Sequence, residues 1–275
     1  MTILAARLAG AAAVLNRSTP SALRAVSVPV VRRADAILAV SQGVKDILVA
    51  QGVPADLIQV IYVGVDTVMF SPDAPPSREQ IRATIGIPQN SFAVGCLGRS
   101  GKGQEDLLAA DHYLCEVSPD THYFFAGAEI SSHLAPIIAG RPDLKRRVIL
   151  RDLLPHAQMP PILKALDVIV MTPERESFSN AVLEAMAMEK PLILSRAVGN
   201  MEAVVDGESG ILIEAHNIHA IGENLRALYL APDRRRALGK NARDRVCRWF
   251  SEPAMMADME RSWALAAGCS KHTRR

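Results

Sequence analysis

The stretch 174-ERESFSNAVLEAMAMEKP-191 decides how the rest of the chain is read. It places Glu176 just before an apolar run and Glu184 inside that run, among Ala, Val, Leu and Met. Burying an unpartnered polar group costs roughly 2–7 kcal/mol, and more when it is charged. Something must therefore satisfy Glu184. Ser177, Ser179 and Asn180 are all good N-cap residues, so a helix is predicted to begin within "SFSN". It stops before Lys190-Pro191, because proline disfavours helix at the preceding residue. Glu176 then sits in a strand-to-helix turn, and Glu184 lies one to two turns into the helix.

Outward from this helix, short buried strands alternate with helices. "DVIVMT" (167–172) and "PLILS" (191–195) flank it as strands, with a turn and the strand "GILIE" (210–214) beyond. Upstream come the strands "FAVGCLG" (92–98), "HYFFAG" (122–127) and "RVIL" (147–150). Helices are predicted over 103–114, from 131 to an interruption at Pro136, and over 159–166. Earlier still, "AILAV" (36–40) and "IQVIYV" (58–63) are strands around a helix at 43–51, with Ser41 as its N-cap and Gly52 closing it. "SPDAPPSRE" (71–79) holds three prolines in nine residues and reads as a linker. Three helices near 217–230, 233–248 and 253–267 end the chain. Continuous Val/Ile/Leu strands between helices mean a parallel sheet covered on both faces, a doubly wound α/β unit. Ligands of such sheets bind at the carboxyl ends of the strands.

The 275 residues are 49% hydrophobic and 22% charged, a globular composition. A net charge of +2 with Lys and Arg spread along the chain leaves no nucleic-acid footprint, and 4% aromatics gives no base-stacking platform. Cys96, Cys115, Cys247 and Cys269 show no CxxC pairing, so neither a disulfide framework nor a zinc site is expected, and free thiols suit a reducing, cytoplasmic compartment. The opening "MTILAARLAGAAAVLNRSTPS" lacks a leading basic residue, is interrupted by Arg7 and is too short for a membrane span. It is expected to be a helix of a domain that begins upstream.

Two constellations carry chemistry. The predicted helix start after Glu176 offers free N–H groups and a positive dipole end, a natural seat for phosphate. Two carboxylates beside it can accept hydrogen bonds from neutral hydroxyls, and phosphate plus hydroxyls describes a nucleotide sugar. A structural reading, with Glu184 paired to a basic core residue, stands equally well on these residues alone. The second constellation is "GRSGKGQEDLL" at a strand end: Arg99 and Lys102 among Gly98, Gly101 and Gly103. Glycines permit close backbone approach and the cations suit an anionic diphosphate, although the GKS/T ending of a P-loop is absent.

The ordered landmarks "ADAILAVS…VIYVGVD…GRSGKG…FFAG…ERESFSNAVLEAMAMEKPLILS…GNMEAVVDGESGILIE" resemble the family 4 retaining glycosyltransferases of the GT-B fold, over about residues 30 to 250. The resemblance includes the family's Glu-x7-Glu motif, here Glu176 and Glu184. It implies a complete Rossmann-like donor domain at 91–248, preceded by the remnant of an acceptor-side domain at 1–73 and a linker at 74–90, and followed by a crossover helix and tail at 249–275. It implies that Arg99 and Lys102 grip the donor diphosphate and that Glu176 lies beside the donor sugar. The backbone N–H groups of Phe178, Ser179 and Asn180 would reach its hydroxyls or the phosphates, with Gly98 lining the same seat. Glu184 would accept from the ribose hydroxyls. Glu202 matches another acid of the pattern, against a plain reading as a helix-surface glutamate. The implied reaction is retaining sugar transfer from a nucleotide-diphosphate sugar, the donor substrate, with no cofactor and no metal. The acceptor would be a glycan or a lipid-linked molecule, at the inner face of a membrane in peripheral contact. A donor-binding chain without activity of its own is the alternative, and a sugar-nucleotide epimerase fits the motif less well.

The chain departs from the family in three places. The Arg-to-Lys spacing is short, so one cation is expected to fall away from the diphosphate. Glu189 stands where the motif helix normally ends in Gly, a left-handed position worth about 1 kcal/mol of strain. Only about 70 residues precede the linker, where a domain of this kind has roughly 100–200. The expectation is therefore a fragment, or a partner chain that supplies the acceptor domain. Elsewhere plain roles are expected: a surface cap for His156, a turn or hinge for Asp66, core packing for Met255, Met256 and Met259, a solvated face for Arg234–Arg236, and an anchor for Trp263.

Overall fold

Strands without polar alternation must be covered on both faces. In the computed structural model, which describes residues 14–17 and 28–272, they form two all-parallel sheets. The first is β1 (Val14–Arg17), β2 (Ala36–Ala39) and β3 (Ile58–Val60) in that spatial order. The second holds β4 (Ala93–Leu97), β5 (His122–Ala126), β6 (Val148–Arg151), β7 (Val168–Met171), β8 (Leu192–Ser195) and β9 (Ile211–Ile213), in the order β6-β5-β4-β7-β8-β9. Every residue of β4, β5, β7 and β8 is buried. The order matters: the chain runs from β4 outward to β6, then returns to the other side of β4 as β7. β4 and β7, paired at Val94–Val168, flank the topological switch point, where a parallel sheet opens a crevice at its carboxyl ends.

Several local expectations are corrected. The strand expected at 58–63 is paired only over Ile58–Val60. Residues 78–85 of the expected linker form a helix. Ser77 accepts from Gln80 N while Gln80 Oε1 accepts from Ser77 N (2.9 Å), a reciprocal cap that restarts helix after the prolines. Pro136 lies inside the helix Ile130–Ala139, whose face is held on the core by Ile130, Leu134 and Ile138; burial of that stripe outweighs the one missing backbone bond. The turn expected after β8 contains the helix Val198–Ala203. The expected N-terminal helix lies outside the described residues. Trp263 and Met256 are exposed, and Met255 and Met259 only half-buried, so neither the anchor nor the core-packing role holds. Arg235 packs over the Phe92 ring, leaving Arg234 and Arg236 on the solvated face. Asp66 serves a turn, accepting from Val68 N and Met69 N (both 2.9 Å). Among the described residues no helix is long and apolar enough to cross a membrane.

The two sheets are joined by polar contacts that the sequence does not announce. Glu202, on the helix Val198–Ala203, caps the helix Gln42–Ala50 of the first unit: its carboxylate accepts from Gln42 N (2.8 Å), Gly43 N (2.9 Å) and the Tyr62 hydroxyl (3.0 Å). Glu202 is thus not a helix-surface acid. The Tyr62 hydroxyl is pushed up to about 12 by burial and by donating to Glu202. The chain crosses back at 250–252, where Val65 N donates to Phe250 O (2.9 Å) and Glu252 N to Val65 O (3.0 Å). The last helix, Glu252–His272, follows directly.

Under the second sheet one carboxylate answers two cations. Asp167 takes Arg78 (2.7 Å) on one oxygen and the fully buried Arg82 (2.8 Å) on the other. Arg82 spends its remaining donors on the carbonyls of Ala165, Pro88, Gln89 and Ser91. Lys190 points its ammonium at the carbonyls of Leu166 (3.0 Å) and Lys164 (3.3 Å) with no carboxylate of its own. Desolvation, aided by Arg78, lowers it from 10.5 to about 7. Between about pH 7 and 10.5 the unfolded chain therefore binds one proton more than the folded one, and stability rises with pH across that window. Lys190→Met should gain thermal stability relative to the parent as pH falls from 10.5 to 7, measured as the difference in Tm between the two proteins. Glu202→Ala should destabilise the chain by about 1–2 kcal/mol, the scale of a lost helix cap, and is checked by urea unfolding at neutral pH.

Candidate functional site

The loops that follow β4 and β7 meet at the switch point. After β4 the chain turns through Gly98 (φ 117°), Gly101 (φ 85°) and Gly103 (φ 88°). Gly103 is required twice over: its φ is left-handed, and an added Cβ would lie 2.0 Å from Thr172 Oγ1. This approach lets Thr172 N donate to Lys102 O (2.8 Å), which binds the two loops together. Gln104, fully buried at the start of the helix Gln104–Ala109, pins the turn from inside. Its Oε1 accepts from Lys102 N (2.8 Å) and its Nε2 donates to Arg99 O (2.9 Å).

The loop after β7 is held as firmly. The Ser195 hydroxyl donates to Pro173 O (2.6 Å), and Gly199 N donates to Glu176 O (2.9 Å). A Cβ on Gly199 would sit 2.3 Å from Ser177 O, so only glycine lets the helix Val198–Ala203 touch this loop. The helix Asn180–Ala187 begins as expected, with Ser179 at the N-cap position but making no side-chain cap bond. Among the described residues, Ser179 therefore leaves the first N–H groups of the helix without a side-chain cap. The helix ends as expected too, with Glu189 at φ 55°.

The predicted residues come together as follows. Lys102 Nζ donates to Glu176 Oε2 at 2.5 Å, both side chains being mostly buried. The short Gly-rich loop thus delivers Lys102 to the Glu176 turn, while Arg99 stays exposed on the same loop. Gly98 lies beneath the Lys102 stem. Phe178 packs its ring into an aromatic trio with Tyr62 (5.0 Å) and Phe250 (5.2 Å), anchoring the turn whose backbone was the expected contact. Ser179 is half-buried and Asn180 exposed at the helix start. Glu184 is 9% exposed and its Oε1 accepts from His156 Nε2 at 2.9 Å.

That last contact corrects the expectation that His156 is an unpartnered surface cap. His156 lies far from Glu184 in sequence, and only the return of β7 alongside β4 brings their elements together. Gln104 escaped the sequence reading as well, although an amide directly after a glycine turn is a usable signal. A cleft of about 580 Å³ lies beside these residues, lined by Gly101, Gly103, Pro173, Glu174, Arg175 and His216 among others. His216 bridges Asp106 (2.9 Å) and Glu174 (3.4 Å) across it, and the Asp106 carboxylate raises the imidazole above its ordinary value. Arg99, Lys102, Glu176 and Glu184 are not among its lining.

Comparison with known proteins now places the chain. Residues 77–245, more than half of it, match the family described as glycosyl transferases group 1, and residues 9–68 match glycosyltransferase family 4. The chain belongs to the group 1 glycosyltransferases. It is 32% identical over 240 residues to the alpha-maltose-1-phosphate synthase of Mycolicibacterium smegmatis, covering 80% of this chain and 60% of that one. It is 29% identical over 261 residues to the D-inositol 3-phosphate glycosyltransferase of Corynebacterium kroppenstedtii, covering 89% and 57%. The chain thus spans a little over half the length of these relatives. The crystal structure of Anabaena HepE in complex with UDP superposes with a TM-score of 0.85 at 21% identity, over 96% of this chain and 75% of that one. The fold is of the GT-B type, and Glu176 and Glu184 stand in the turn and the helix that follow β7.

Gln104→Leu keeps the volume but leaves Lys102 N and Arg99 O unpaired. It should destabilise by about 1–3 kcal/mol, the cost of one buried orphan, because Arg99 is exposed and its carbonyl can turn to water. Hydrogen exchange at the Lys102 amide should speed up more than exchange in β4.

Proposed function

We propose that this group 1 glycosyltransferase binds a nucleoside diphosphate sugar at the junction of the two loops and transfers the sugar with retention of anomeric configuration. The observation that carries the reading is the Lys102–Glu176 pair at the switch point, with Glu184 on the helix that follows the Glu176 turn. A cation, a helix start without a side-chain cap and two carboxylates match, in order, a diphosphate, a phosphate or sugar edge, and sugar and ribose hydroxyls.

On this reading Lys102 exchanges Glu176 for the donor diphosphate, with Arg99 joining it from the exposed end of the loop, and together they stabilise the departing nucleotide. Glu176, released from Lys102, turns to the sugar hydroxyls. Glu184 takes the ribose. The acceptor attacks from the face the leaving phosphate occupies, and that phosphate assists its deprotonation. The protein contributes positioning and fixed charge. UDP is the first nucleotide to test, because a structural neighbour holds it. A phosphorylated polyol or sugar is the first acceptor class, because the inositol 3-phosphate and maltose-1-phosphate relatives are named for such molecules. A glycan or lipid-linked acceptor, peripheral membrane contact and a partner chain completing the acceptor side belong to the same proposal.

A thermal-shift panel of UDP, ADP, GDP and their sugars tests the donor site. The matching nucleotide, at a hundredfold over its Kd, should stabilise the fold by about 2.7 kcal/mol. No shift with any of them at millimolar concentration defeats the reading. Release of nucleoside diphosphate with and without acceptor separates a transferase from a donor-binding chain that does not turn over. Glu184→Ala should weaken nucleotide binding while leaving the chain folded.

A further inference from the structure

We propose that His156 is a positioning residue for the donor: it holds the Glu184 carboxylate in the orientation that receives the ribose hydroxyls. This rests on the donor-site reading above and adds to it a residue outside the Glu-x7-Glu motif.

A glutamate carboxylate turns easily about its last bond, because that torsion is broad. A carboxylate that must accept two neighbouring hydroxyls gains from being fixed beforehand, since each rotor frozen on binding weakens affinity. In this structure one oxygen of Glu184 is fixed by the 2.9 Å bond from His156 Nε2. A carboxylate only accepts, so Nε2 carries the proton and the tautomer is set by the contact.

His156 is itself built in from several sides. Its backbone starts a single tight turn, His156–Gln158, behind Pro155. Its ring packs against Phe70 at 5.3 Å between centroids. Phe70 is fully buried, and its carbonyl, with that of Ala187, accepts from the Arg243 guanidinium. The segment between the sheets, the loop after β6 and the motif helix therefore all meet at one imidazole. Yet 63% of the His156 side chain is exposed, against 11% for Glu184. A contact made only to stabilise the fold gains little with one partner in water. A contact that orients a carboxylate for a ligand has to sit at such an edge.

The test is a binding series on the full chain with UDP, ADP and GDP, followed with the nucleotide that binds the parent. His156→Ala and His156→Asn remove the donor from the Nε2 position. His156→Gln restores an N–H there. Affinity should fall about tenfold, equivalent to 1.4 kcal/mol, in the first two and stay within about threefold of the parent in the third. In a Glu184→Ala background His156→Ala should have no further effect, and the 2′-deoxy form of the nucleotide should lose most of the sensitivity. Unchanged affinity in His156→Ala, or an equal loss with and without Glu184, overturns the proposal, and a fall in Tm with unchanged affinity assigns the contact to stability alone. Should His156→Ala fail to fold, the Asn and Gln pair carries the comparison, and equal affinities in those two overturn it as well. If the parent binds none of the three nucleotides, the donor-site reading falls and this inference falls with it. Binding by the parent with no Gln-against-Asn difference defeats only the inference.

Discussion

The hydrogen bond from Thr172 N to Lys102 O joins the ends of two strands that lie far apart in sequence and side by side in the sheet. It forms because Gly103 has no side chain to collide with Thr172. With the two loops so tied, Lys102 can reach Glu176, and the parts of the candidate site converge. A bulkier residue at 103 would push the loops apart and disperse the charges they carry.

The buried charges fall into two groups that differ in how their partners are held. Asp167 is met by Arg82, which is buried and tied to four carbonyls besides. Asp111 is met on both oxygens by Arg147 (2.7 Å each) and by the Tyr123 hydroxyl (2.7 Å), whose own ionisation burial strongly opposes. Glu202 is met by two backbone N–H groups and a tyrosine. Such partners are locked in place, and these carboxylates serve the fold. Glu176 and Glu184 are met instead by a lysine on a flexible stem and by a mostly exposed imidazole. A lysine on such a stem can be exchanged for a ligand at small cost.

Much of the fold was legible in the sequence because its signals are local. Uninterrupted apolar runs marked the strands, Ser41 capped its helix by accepting from Val44 N, and Glu189 took the left-handed turn at the end of the motif helix. The failures were places where packing overrode a local rule. Pro136 stayed within a helix because the stripe around it is buried, and the proline-rich linker gave way to helix once Ser77 and Gln80 could cap each other. In the site, Lys102 and Glu176 were recognisable as candidates, whereas Gln104 and His156 were not, since each acts through a partner that only folding brings near.

By itself, then, the sequence determined the parallel α/β class, the glutamate pair of one turn and the helix after it, and the cation-bearing glycine turn, all of them written in residue type and short spacing. Only the tertiary structure decided the strand order, and with it which loops meet. It also decided that Glu202 closes a helix of the other unit and that His156 attends Glu184. The physical reason is the same in each case: a carboxylate's partner is chosen by distance in space, and in a doubly wound sheet the strand that returns to the switch point brings together residues that no sequence window contains.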